Sequence, residues 1–154
     1  METVSSKSLK SQSVISQRVI TNAKRFGMDL DVSYTLLFRV INWDKSLVDG
    51  HIFALLHNGR ENPEAIEAEF CLPINPEVTK IPENIVVQVI PSCTIALCGQ
   101  YSGNLDEINP VYDRIKEYAE LNYYKLAYPI RETYIDYSSE TPCTEIAWPI
   151  SEAL

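Results

Sequence analysis

No apolar run in this sequence approaches the roughly 20 residues that a bilayer crossing needs, which argues against a membrane-spanning helix. Its first ten residues, METVSSKSLK, lack the apolar middle of a secretory signal, so a cytoplasmic location is expected. Basic residues are the minority: 13 Lys and Arg stand against 21 Asp and Glu, for a net charge of −8. An acidic surface repels nucleic-acid phosphates, and the chain shows no basic helix and no recognisable DNA-reading motif. Direct nucleic-acid binding is therefore not expected, whereas a cationic ligand suits the charge. Histidine is scarce. His51 and His57 are six apart and have no third ligand at zinc-like spacing, so no metal is expected. Cys71, Cys93, Cys98 and Cys143 form no C-x-x-C pair, and each lies in an apolar, strand-like stretch that reads as a place for a free thiol. Gly99-x-x-x-Gly103 lacks the Lys-Ser/Thr and the helix of a phosphate loop, and no Ser-His-Asp or Cys-His set follows from spacing, so no cofactor is expected.

What the chain does have is a substantial apolar fraction, 45% against 22% charged, which over 154 residues makes one globular domain spanning 1–154. It also repeats itself. EFCLPI (69–74) returns as EIAWPI (145–150), 76 residues further on. With that offset held, the first half (about 11–74) and the second (about 85–150) show the same order of strand, helix, strand, strand, joined by a polar, proline-containing linker at 75–84. In the first half SVISQRVI (13–20) reads as a strand. Asp29 or Asp31 is placed to cap a helix with the stripe Leu30, Tyr34, Leu37, Ile41, and IFALLH (52–57) and EAEFCLPI (67–74) follow as strands around a turn, NGRENPE. In the second half IVVQVI (85–90) is separated by Pro91-Ser92 from CTIALCGQY (93–101), a break, bulge or strand edge. Asn109-Pro110 fits a helix start, with Asn104 as an earlier alternative. The stripe is then Val111 or Tyr112, Ile115 and Ala119, before strands at 129–137 and 143–150. The pattern predicts an α+β fold of tandem pseudo-symmetric βαββ repeats. Its antiparallel sheet carries the helices on one face, leaving the other face, and above all the seam between repeats, free to form a groove. Glu69 and Glu145 occupy matching positions in both halves, which favours a structural role at a strand start.

One stretch breaks the repeat. RETYIDY (131–137) puts Glu132 and Tyr134 on the same side of a strand. At the gapless offset their counterparts are Leu56 and Asn58, so neither carboxylate nor phenol is duplicated. A mid-strand carboxylate is costly to bury alone. It is exposed, paired with Arg131 or Lys125, or open to a ligand. A carboxylate among ring faces makes a cation site, each ring contact adding roughly 0.5–2 kcal/mol. Tyr101, Tyr112, Tyr134, Tyr137 and Trp148 are candidate walls, while Trp43 and Phe53 from the first half read more readily as core.

Gly99-Gln100-Tyr101-Ser102-Gly103, then Glu132-Thr133-Tyr134, then Glu145 through Ile150 together resemble the GyrI-like proteins. That superfamily includes the effector-binding domains of AraC-type regulators such as Rob and of the MerR-type regulator BmrR. The resemblance covers the second half well and the first half through element order and EFCLPI. It implies the tandem fold with a ligand groove between repeats, with Glu132 as the acid that meets cationic, often aromatic compounds. Tyr134 and Trp148 match pocket-lining positions, and Tyr112 follows by helix register. The two repeats fill the 154 residues, so no DNA-binding domain is expected within them.

The first functional expectation is a stand-alone binder of hydrophobic cationic or aromatic small molecules. The second is a hydrolase of electrophilic, cyclopropane-bearing toxins, with a raised-pKa Glu132 as general base and Tyr134 as proton donor. The third is a protein-interaction module that inhibits a DNA-handling enzyme.

Overall fold

The computed structural model describes residues 4–78, 80–137 and 139–151; Thr79, within the linker expected at 75–84, lies outside the described residues. The chain opens with a polar strand, β1 (Ser5–Leu9), that no apolar alternation announces. β2 (Gln12–Thr21) follows, then α1 (Phe26–Val40). The helix begins earlier than Asp29 or Asp31 would set it. Arg25 is the N-cap and makes no side-chain cap bond. Phe26 is the reason: it extends the apolar stripe one turn back and is 2% exposed against Phe70. Burying a phenyl ring stabilises by about 1.5–3 kcal/mol, more than a typical cap of about 1 kcal/mol. Asp29 accepts instead from Thr21 Oγ1 at 2.6 Å, which ties the first helical turn to the end of β2.

A short 3-10 turn (Lys45–Leu47) capped by Asp44 leads to β3 (Phe53–Leu56) and β4 (Ile66–Pro73). The second half runs β5 (Val86–Ile90), β6 (Cys93–Ser102), a 3-10 turn (Leu105–Glu107), α2 (Asn109–Leu121), β7 (Lys125–Leu126), β8 (Ile130–Ile135) and β9 (Cys143–Ser151). Ile108, not Asn109, is the N-cap of α2; Asn104 starts the 3-10 turn, and neither asparagine caps through its side chain. Val111, Tyr112, Ile115 and Ala119 form the buried stripe.

The strands make a sheet in the order β1-β6-β9-β8-β3-β4-β2-β5, antiparallel at every named pairing, with β7 on β9. The order β6-β9-β8 on one side reflects β2-β4-β3 on the other, so the pseudo-symmetry lies at the β3–β8 seam. β1 leads into β2 yet pairs with β6, and β5 leads into β6 yet pairs with β2. Each outer strand is thus exchanged between halves. Pro91-Ser92 is the crossing point, a break between two strands.

α1 packs on β2 and β4, and α2 on β6, β7 and β9, both over the same face. Gly99 on β6 lets α2 approach: a Cβ there would lie 2.9 Å from Val111 Cγ1. The seam strands run between the two helices. Beneath the helices lie Ile15, Phe70, Leu72, Leu97, Ile146 and their neighbours. The opposite face carries a smaller cluster around Val14, Phe53, Leu55, Cys71 and Ile90. All four cysteines are free; Cys71 and Cys98 are buried, Cys93 and Cys143 half-buried. Among the described residues no helix is long and apolar enough to cross a membrane.

Candidate functional site

β8 alternates strictly. Ile130, Glu132 and Tyr134 are buried toward the helices, and Arg131, Thr133 and Ile135 turn the other way. Glu132 pairs with Ala54 across the seam and with Ile146 on β9, and is 0% exposed. Its neighbour across the seam is thus Ala54. The small alanine leaves room above the seam. Glu132 faces the helix side of the sheet rather than the open face; it is sealed beneath Arg60 and itself lines none of the cavities described on that side.

Four donors converge on this carboxylate. Arg60 Nε donates to Oε2 at 2.6 Å and Arg60 Nη2 to Oε1 at 2.9 Å, a bidentate fork. Tyr134 donates to Oε1 at 2.8 Å, and Tyr112 makes a short hydrogen bond to Oε2. Burial alone would push the Glu132 carboxyl up. The Arg60 charge, its hydrogen bonds and the two hydroxyls outweigh that and hold it below the ordinary carboxylate value. Burial and the adjacent Glu132 charge push both tyrosines up, so they stay protonated as donors.

Arg60 belongs to the loop between β3 and β4, which the sequence marks only as a turn. Gly59 has φ +69 and sits close under Tyr128 and Ile130, 3.1 and 3.3 Å from where a Cβ would be, so the loop folds back over the start of β8. Asn58 braces it, donating to the Ala65 carbonyl at 2.9 Å and accepting from the Glu67 N–H at 2.8 Å. The Arg60 guanidinium then lies 4.2 Å over the Phe26 ring. The cations expected beside Glu132 are elsewhere: Arg131 faces the opposite side of the sheet, 4.5 Å over Phe53, and Lys125 is exposed on β7. The signal for Arg60 was compositional. A buried carboxylate requires a cation, and the loop next to β8 in the sheet carries one.

The structure thus joins Glu132, Tyr134 and Tyr112. Trp148 stands behind Tyr112, ring edge to ring at 5.7 Å; it is 2% exposed and belongs to the core. Tyr137 packs edge-on to Tyr134 at 6.0 Å, its hydroxyl pushed up to about 12 by burial and by Asp31. Tyr101 is half-buried at the strand exit, 3.0 Å from where a Gly103 Cβ would be. Phe53 is core, on the far face. Trp43 is not: it is 55% exposed and stacked on Phe38 at 5.3 Å.

Arg60 lines three cavities of about 420, 430 and 240 Å³ between the helices, reaching Leu105 and Asp106 on one side and Tyr112 and Trp148 on the other. A further cavity of about 620 Å³ lies beyond Tyr134, walled by Tyr34, Phe38, Trp43 and Tyr137.

No protein-family model matches the sequence, and no curated protein matches it either. Solved structures do. The C-terminal domain of EcmrR superposes with a TM-score of 0.77 at 24% identity, covering 99% of both chains. The same protein in its complex with DNA gives 0.84 at 24% identity, and there this chain spans 58% of the longer one. SAV2435 bound to tetraphenylphosphonium gives 0.64 at 13% identity over 97% of this chain and 94% of that one. A hydrolase from Listeria innocua gives 0.70 at 9% identity over 96% and 91%. These likenesses show the fold: the α+β arrangement expected from the GyrI-like resemblance is the one observed.

Proposed function

We propose that this protein binds a hydrophobic, aromatic cation in the groove between α1 and α2, with Glu132 as counter-charge and Arg60 as an internal stand-in for the ligand. One observation carries the reading. A carboxylate with 0% exposure is neutralised by a planar cation that rides on a loop, sits over an aromatic ring and lines the neighbouring cavities. Those are the contacts an aromatic organic cation makes with a carboxylate and ring faces. Tyr112 and Tyr134 remain to receive it. Displacing Arg60 opens three neighbouring cavities into one another, because its side chain lines all of them. The fold neighbour solved with tetraphenylphosphonium supports this class of ligand.

The geometry favours binding over hydrolysis. A general base needs a free oxygen and a raised pKa. Here both oxygens are fully engaged and the carboxyl is held low.

Calorimetric titration with tetraphenylphosphonium tests the reading, with triphenylphosphine oxide as the neutral comparison. The cation binds and the neutral compound binds far more weakly. Glu132→Gln weakens the cation by about tenfold or more, the scale of one lost charged contact. Arg60→Leu strengthens it, because no internal cation competes. Equal affinity for both compounds, or an Arg60→Leu loss as large as that of Glu132→Gln, sinks the proposal.

A further inference from the structure

The face of the sheet away from the helices has a cavity of its own. β8 sends Glu132 toward the helices and its neighbour Arg131 to this side. Here a cavity of about 390 Å³ is walled by Leu55, Ile90, Pro129 and Pro149, and its polar lining is Glu69, His57, Gln88 and Arg131. Glu69 and Glu145 stand within their strands rather than at the start, and both turn to this face.

The acceptor in this cavity is already well supplied. Glu69 takes Ser16 Oγ at 2.7 Å, His57 Nε2 at 2.9 Å and a short bond from Gln88 Nε2. Those donors hold it ionised, below the usual carboxylate value despite its burial. Glu145, further along this face, is paired with Lys7.

The donor is empty. Arg131 Nε is one of two buried side-chain polar atoms among the described residues with no hydrogen-bond partner, the other being Trp148 Nε1 in the core. The guanidinium sits over Phe53, 4.5 Å from the ring centroid, a contact that leaves the Nε–H without an acceptor. A half-buried guanidinium with an idle N–H is costly, and the cost is recovered by an anion that accepts from it. The Nε edge that is idle on Arg131 belongs to the same fork with which Arg60 grips Glu132.

We propose that this cavity is a second binding site, for a small carboxylate with an apolar tail: Arg131 takes the carboxylate, and Leu55, Ile90 and Pro149 take the tail. A cation is disfavoured because Glu69 already accepts three hydrogen bonds, two of them on Oε2. A purely apolar ligand leaves Arg131 Nε unpaired. The assignment is independent of what occupies the groove on the helix face.

The test is amide-detected NMR titration with hexanoate, 1-hexanol and hexylammonium. Hexanoate shifts the resonances of Leu55, Ile90 and Arg131 and binds about tenfold tighter or more than hexanol, the ratio set by one charge-assisted fork. Hexylammonium leaves those resonances in place. Arg131→Gln loses that margin, Arg131→Lys recovers part of it, and Arg39→Gln, which removes the same charge from the exposed side of α1, leaves it intact. Arg131→Met, which takes away an unpaired donor and keeps an apolar chain against Phe53, melts no lower than the parent and binds hexanoate no better than hexanol. Equal affinity for hexanoate and hexanol overturns the proposal, as do shifts confined to the Arg60 groove or full hexanoate affinity in Arg131→Gln.

Discussion

Arg60→Leu tests whether the loop arginine and the buried carboxylate form one energetic unit. The substitution leaves Glu132, at 0% exposure, with two tyrosine hydroxyls and no counter-charge. Removing one partner of a buried ion pair costs about 3–5 kcal/mol, and leucine packing on Phe26 offsets about 1 kcal/mol of it. For a chain of this size each kcal/mol moves the midpoint by about 2–4 °C, so Tm at pH 7 falls by roughly 5–15 °C. The pH dependence changes sign as well. In the parent the Glu132 carboxyl sits below its ordinary 4.5, so its contribution is complete above that value and is lost as pH falls through the folded pKa. Without Arg60 burial dominates and raises the folded pKa above the unfolded one. The variant then gains stability as pH falls from about 7 to 5, where the parent does not. The double variant Arg60→Leu/Glu132→Gln removes the stranded charge and regains about 2 kcal/mol or more at pH 7. Urea denaturation at pH 5 and 7 on all four proteins completes the cycle. If Arg60→Leu matches the parent in stability and in slope, the pair is not coupled and the reasoning fails.

Tyr112→Phe removes one hydrogen bond to an ionised acceptor and leaves its ring on Trp148. It costs about 1.5–3 kcal/mol by urea denaturation, and a loss below about 0.5 kcal/mol would show the hydroxyl to be idle. Tyr134→Phe behaves alike, and either change moves the acid limb of the stability–pH curve upward, because Glu132 loses a bond that holds it low. Gly99→Ala forces a methyl to 2.9 Å from Val111 Cγ1 and destabilises by about 1–3 kcal/mol through α2, whereas an unchanged Tm would show that the helix shifts freely.

Much of this architecture is legible in the chain because it rests on local periods. The return of EFCLPI as EIAWPI, the stripe through Leu30, Tyr34 and Leu37, and the stripe through Val111, Ile115 and Ala119 all mark elements that the structure contains. Helix starts were less legible. Asp29 is a good capping residue, but the core contact of Phe26 outweighs it. β1 escaped altogether, since SSKSL is polar and forms a strand only because β6 offers it an edge.

The sequence by itself determined that Glu132 and Tyr134 share one face and Arg131 the other, since an extended chain alternates whatever surrounds it. Only the tertiary structure decided which cation meets the carboxylate. Arg60 lies 72 residues away, and a contact across that separation has no local signature. The strand exchange at the two sheet edges, the placing of the groove between the helices and the idle guanidinium on the far side were decided at the same level. Each depends on which strands become neighbours, and burial of the whole core settles that.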